Sequence, residues 1–101
     1  MGGTTFFRDS SGETLQQAFQ NSVENAKHRH GHGGYTGTIA EKNSVTEIPQ
    51  SEVPEEMTAM EYAQQLIEEG DSRIDSKWGP AGAIKLGDDP STWLLFGWAS
   101  C

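Results

Sequence analysis

The segment 92–98, which reads Thr-Trp-Leu-Leu-Phe-Gly-Trp, places the tightest constraint on the fold. Successive side chains of a strand point to opposite faces of a sheet, and here both sets are apolar. That pattern is typical of a central strand covered on both sides. If helices cover only one face, the other must contact a protein partner or a second copy. Core packing is the first explanation for Trp78, Trp93 and Trp98, and an exposed tryptophan would be an interface residue.

Two helices are predicted from apolar residues spaced three and four apart. The first spans about residues 14–28. The second spans about 59–69 and has stronger boundary signals. Thr58 and Glu61 have the spacing of a capping box, and Gly70 stands where a left-handed C-cap residue belongs.

The remaining β-prone segments predict a small sheet. Strands are expected at 4–7, 35–40, 81–86 and 92–98, with a further short strand near 45–48, a turn at 9–12 and a hairpin loop at 87–91. The order β-α-β-(β)-α-β-β predicts one α+β domain over residues 1–101. We expect a two-layer sandwich in which two helices pack on one face of a mainly antiparallel sheet.

Charge is distributed unevenly along the chain. The net charge is −8, and residues 50–101 carry ten acids and three bases against five and four in residues 1–49. Binding to nucleic acid depends on lysine and arginine at phosphates, so the composition disfavours it. An acidic surface suits a basic protein partner, and Glu68 and Glu69 are predicted interface residues on that basis. The alternative is that the acids form an ordinary solvated surface.

Compartment signals in the sequence are sparse. Cys101 is the only cysteine, so no internal disulfide can form. No apolar run approaches the ~18–20 residues of a membrane span, and residues 1–20 lack the pattern of a signal peptide. We therefore expect a cytoplasmic protein without a membrane association.

All three histidines, His28, His30 and His32, lie in one short stretch. Three imidazoles could hold zinc with one open position, although no carboxylate stands beside them to orient the rings. A second interpretation makes His32 a general acid or base that works with Tyr35 or Glu41. The third is structural, because cationic residues at the end of a helix offset its dipole.

Glycines continue the same stretch and suggest a ligand loop. Gly33, Gly34, Tyr35 and Gly37 are the candidate ligand-binding residues. Nucleotide fingerprints, however, follow a strand and open a helix, whereas these glycines follow a helix and open a predicted strand. A turn from helix to strand is the alternative explanation.

Two blocks, HGHGGYTGTIAEK at residues 30–42 and KWGPAGAI at 77–84, resemble small uncharacterised proteins of bacteriophages and mobile elements. The resemblance brings no assigned reaction, and it implies a context in which small acidic proteins bind and block a host protein.

Our first hypothesis is therefore a non-enzymatic acidic protein that binds a host protein or a second copy of itself. No nucleophile motif is visible in the sequence, and no cofactor is expected apart from zinc. The alternative is a small ligand-binding or catalytic domain with its site at residues 28–42. A second alternative is a metal-binding structural protein.

Overall fold

The computed structural model describes residues 3–30, 39, 42–76, 79–88 and 91–100. These described residues form four strands and two helices: β1 (Gly3–Ser11), α1 (Leu15–His30), β2 (Val45–Ile48), a 3-10 turn (Gln50–Glu52), α2 (Ala59–Glu69), β3 (Ala81–Asp88) and β4 (Ser91–Ser100). The predicted α+β class and the order of elements are confirmed.

The four strands form one mixed sheet in the order β1-β4-β3-β2. β4 lies between β1 and β3 and is antiparallel to both, while β2 runs parallel to β3. The sheet is therefore mainly antiparallel, as predicted, and the segment that is apolar on both pleat faces is a central strand.

The two helices lie on opposite faces of this sheet. One buried cluster joins α1 to Ala83 of β3 and Leu95 of β4, and the other joins α2 to Ile84 and Leu94, the next residues along the same two strands. The sheet is thus the middle of three layers, which corrects the expectation that both helices share one face. Trp93 and Leu95 are buried on the α1 face of β4, and Leu94 and Phe96 are buried on its α2 face.

The boundaries of α2 agree with the sequence prediction. The hydroxyl of Thr58 accepts a hydrogen bond from the Glu61 backbone N–H at 3.1 Å, and the Glu61 carboxylate accepts one from the Thr58 N–H at 2.8 Å. Gly70 ends the helix at φ 69° and ψ 43°. The N–H of Asp71 reaches back to the Leu66 carbonyl at 3.0 Å, which completes a Schellman motif.

β1 is longer than predicted, because the turn expected at residues 9–12 is strand as far as Ser11. All nine residues of β1 pair with β4, from Gly3 opposite Ser100 to Ser11 opposite Thr92. The Ser10 hydroxyl donates to the Ala18 carbonyl of α1 at 2.7 Å. Pairing with a central strand outweighs the turn preference of the Asp-Ser-Ser-Gly sequence.

The predicted strand at 35–40 lies outside the described residues, apart from Ile39. This residue is fully buried and packs in the cluster beneath α1. Its carbonyl accepts a hydrogen bond from the Lys42 N–H at 2.9 Å. The short strand near 45–48 is confirmed as β2.

Candidate functional site

The acids of the second half gather on the α2 layer. Segment 50–76, which forms α2 and its flanks, contains eight acids and one base. Five of these acids are exposed on α2 or on the turn before it: Glu55, Glu56, Glu61, Glu68 and Glu69. By contrast, α1 carries one acid and two bases, and its exposed face is largely amide: Gln16, Gln17, Gln20, Asn21 and Asn25. The two helical layers therefore differ in charge.

Arg73, the one base of this acidic segment, is held by carboxylates of the same layer. Its Nη1 and Nη2 donate to the two oxygens of Glu52 at 3.1 and 2.7 Å. Its Nε and Nη2 donate to the two oxygens of Asp71 at 2.9 and 3.0 Å. Both contacts have the fork geometry in which arginine binds a carboxylate most strongly. The Tyr62 hydroxyl, from the buried face of α2, adds a bond to Glu52 at 2.6 Å.

These contacts shift the proton affinities of the whole group. Hydrogen bonds from Arg73, followed by the one from Tyr62, lower the pKa of Glu52. The side-chain and backbone hydrogen bonds of Arg73 lower the pKa of Asp71. The hydrogen bond to Glu52 raises the pKa of Tyr62, and the hydrogen bonds to Asp71 and Glu52 raise the pKa of Arg73. At neutral pH the group is therefore two carboxylates, one guanidinium and one neutral phenol.

The consequence for function is that Arg73 does not offset the outward-facing acids of α2. Its guanidinium satisfies Glu52 and Asp71, which leaves the exposed glutamates of the helix to face solvent. Glu68 and Glu69 are both exposed at the C-terminal end of α2, as an interface role requires. The sequence singled out Arg73 as the lone base, but the fork depends on a turn that tertiary packing brings beside it.

The tryptophans divide between core and surface. Trp93 is 5% exposed and packs beneath α1, so it is a core residue and the proposed interface role is corrected. The ammonium of Lys85 lies 5.6 Å from the centre of its ring. Trp98 is half-buried on the α2 side of β4. Trp78 lies outside the described residues.

Most of the His- and Gly-rich stretch also lies outside the described residues, including His32, Gly33, Gly34, Tyr35, Gly37 and Glu41. His28 is exposed near the end of α1, and His30 is the last residue of that helix. Among the residues the structure describes, no group of three metal-ligating side chains comes together. The zinc, ligand and catalytic hypotheses for this stretch stay predictions.

Lys42, at the end of the same stretch, is a buried cation. It is 4% exposed, and its Nζ donates to the carbonyls of Gly79 at 2.9 Å and Ser76 at 3.3 Å. These bonds tie the segment before β2 to the segment before β3, in line with the parallel pairing of those strands. A buried ammonium requires such acceptors because burial without them is costly. The sequence pattern assigned no structural role to Lys42.

A cleft of about 240 Å³ lies between the Lys42–Asn43 segment and α1, which lines it with residues including Phe19, Glu24 and Lys27. A second, more open hollow of about 420 Å³ is lined by Ser11, Gly12, Glu13, Gln17, Asn21 and Ser91. The cleft is lined largely by polar groups, in contrast to the mostly apolar lining of small-molecule sites, and the hollow exposes polar and apolar surface in similar amounts. Neither brings together a nucleophile and a base from the described residues.

Comparisons of the chain with family models, with curated proteins and with solved structures found no match. Within the described part of the chain, neither helix is long and apolar enough to cross a bilayer.

Proposed function

We propose that this chain is a small acidic protein-binding domain whose α2 layer docks on a basic surface of another protein. The observation that carries this proposal is the separation of charge between the two helical layers. The binding surface would centre on Glu68 and Glu69, with Glu61 about two turns away on the same helix. Opposite charge on a partner would steer its approach and fix its orientation.

The internal pairing of Arg73 supports this proposal. A cation free to turn outward would neutralise part of the acidic surface, but this guanidinium makes four hydrogen bonds to Glu52 and Asp71. The acidic surface therefore keeps its sign and its shape. A preformed surface loses less conformational entropy on binding than one that must rearrange.

The resemblance to small phage and mobile-element proteins supplies the context of the proposal. In that setting the partner is a protein of the host cytoplasm, and binding would block its normal contacts. The function is then carried by occupancy of a surface and requires no chemical step.

The experiment is capture of partners on the purified chain, followed by measurement of the dissociation constant for the recovered protein. Glu68→Gln with Glu69→Gln removes two negative charges from α2. Gln16→Lys with Gln20→Lys changes the net charge by the same amount on the exposed face of α1. We expect Glu68→Gln with Glu69→Gln to weaken binding by about tenfold, because charge pairs at the interface are lost. The salt dependence of binding should also become smaller, because salt acts by screening those pairs.

The control pair should change the affinity by less than about threefold. Equal effects of the two pairs would mean that only total charge matters, and the α2 layer would then not be the binding surface. A partner whose contact surface is acidic would likewise contradict the proposal.

A further inference from the structure

The two edges of the sheet are built differently. β2 forms one edge, has four residues, exposes Glu47 and is followed by Pro49. Short length and a flanking proline are among the features with which proteins prevent an edge strand from pairing with another chain. β1 forms the other edge with nine residues, and it contains no proline. Its register with β4 is continuous from end to end.

We propose that β1 is a self-association edge, which pairs antiparallel with β1 of a second copy to make one eight-stranded sheet. Such a dimer has a two-fold axis perpendicular to the sheet, so each residue lies opposite a residue of the same pleat face. Two residues of one strand share a pleat face only when their numbers differ by an even number. The axis must therefore pass through a residue position, where that residue lies opposite its own copy, and not between two positions. The axis through Phe7, the midpoint of Gly3–Ser11, pairs all nine residues.

The charges of β1 disfavour two of the other registers. Arg8 and Asp9 are the two charged residues of the strand and cancel in sum. An axis through Arg8 would place it opposite Arg8 of the second copy, and an axis through Asp9 would oppose two aspartates. Like charges directly opposite destabilise a strand pair. The axis through Phe7 instead places Arg8 opposite Phe6 and Asp9 opposite Thr5.

The aromatic side chain at the proposed axis, Phe7, also favours pairing of the two sheets. Phe7 is half-buried on the α2 side, and its ring stacks on Phe96 of β4 with centroids 6.5 Å apart and planes 9° apart. Phe7 of the second copy would extend this aromatic row across the axis. Aromatic pairs directly opposite each other are among the stabilising cross-strand contacts. The acidic layer does not obstruct the approach, since α2 lies over β4 and β3.

An interface of one strand from each copy is small, at or below the ~1,200 Å² of weak complexes, so a reversible dimer is expected. Sedimentation of the full chain from about 1 µM to about 1 mM protein would measure its dissociation constant. Salt of about 0.5 M would screen the repulsion between two copies that each carry −8.

Thr5 and Asp9 provide the decisive variants. They lie about 13 Å apart within one strand, too far for direct contact, but directly opposite each other across the proposed axis. Thr5→Glu should weaken the dimer about twofold to thirtyfold, since two symmetric pairs are affected, and Thr5→Lys should tighten it. Adding Asp9→Lys to Thr5→Glu should restore the affinity. Gln20→Glu adds the same charge on the exposed face of α1 and should have little effect.

A chain that stays monomeric over the whole concentration range overturns the proposal. So does a dimer in which Thr5→Glu behaves like Gln20→Glu, or in which Asp9→Lys fails to rescue Thr5→Glu, because either result places the interface elsewhere. These measurements use no other protein and leave Glu68 and Glu69 unchanged, so their outcome is independent of the α2 binding test.

Discussion

The guanidinium of Arg73 binds the carboxylate of Glu52 through two near-parallel hydrogen bonds of 3.1 and 2.7 Å. The bonds join the 3-10 turn before α2 to the segment after it, so they bridge most of the connection between β2 and β3. We expect Arg73→Gln to lower the free energy of unfolding by about 1 kcal/mol, since the groups are partly exposed and the loss leaves two carboxylates close together. Urea denaturation would measure the change.

Arg73→Lys is the matched control for the fork geometry. Lysine keeps the charge but cannot bind two carboxylates with the same paired bonds, so an intermediate loss is expected. If the lysine variant is as stable as the parent chain, charge alone accounts for the contact and the geometry contributes nothing.

Acid should weaken this part of the fold. The pKa values of Glu52 and Asp71 are lower in the folded chain than in the unfolded chain, where ordinary carboxyl values near 4 apply. Between the folded and unfolded values the unfolded chain binds more protons, so stability falls as the pH falls. The contribution is complete above the unfolded values and is lost as the pH drops through the lower folded ones.

Denaturation midpoints measured from about pH 7 to about pH 3 would test this dependence. The other carboxyls of the chain form a background, so the comparison is with Arg73→Gln, in which the pKa shifts of both acids should shrink. The variant should lose less stability than the parent chain over the same interval. Parallel curves for the two proteins would contradict the assignment.

Gly82 marks a close contact between β3 and the core on the α2 side. A Cβ there would lie 2.7 Å from Cζ of Phe96 and 2.9 Å from Cγ2 of Ile74, and both of these side chains are buried. Gly82→Ala should cost about 1–3 kcal/mol of stability through overpacking. A Cβ at Gly87 meets nothing within 4 Å, so Gly87→Ala should stay within about 0.5 kcal/mol. Thermal melts of the two variants would show the difference, and equal melting temperatures would mean that the core yields around Phe96.

The contribution of Lys42 to stability should come from its ammonium group more than from its aliphatic stem. Lys42→Met keeps most of the aliphatic stem but removes the donor to the carbonyls of Ser76 and Gly79. We expect a loss of about 1–3 kcal/mol, because buried acceptors left without a donor are costly. Lys27→Met, on the half-buried side of α1, should change stability by less than about 0.5 kcal/mol. Hydrogen exchange at Ile39–Lys42 and at Gly79 would show whether both segments loosen together, as the shared contact requires.

The sequence predicted α2 well because its determinants are local. The capping box of Thr58 and Glu61 and the left-handed Gly70 act within the helix and its nearest neighbours. β1 was predicted less well, since Ser10 and Ser11 have turn preferences that only the pairing with β4 outweighs. The hydrogen bonds of a strand come from distant parts of the chain, so its length cannot be read from its own residues.

Some features of the candidate site could likewise be predicted from the sequence, and others depended on tertiary packing. The abundance of acids in residues 50–76 and the lone Arg73 were visible in the sequence. Their gathering on one layer, and the fork between Arg73 and Glu52, depended on where α2 packs. Trp93 and Trp98 belong to one apolar segment, yet Trp93 lies in the core and Trp98 is half-buried, although Leu94 and Phe96 on the same face as Trp98 are fully buried.

The sequence by itself determined the α+β class, the order of the elements, the ends of α2 and the central position of the strand that is apolar on both faces. These follow from periodicity and capping, which operate over a few residues. Only the tertiary structure decided that the helices cover opposite faces and that β1 runs its full length along β4. It also decided that Lys42 and Arg73 form hydrogen bonds between segments that are distant in sequence. Those outcomes depend on which surfaces meet once the chain is compact, and no local pattern encodes that choice.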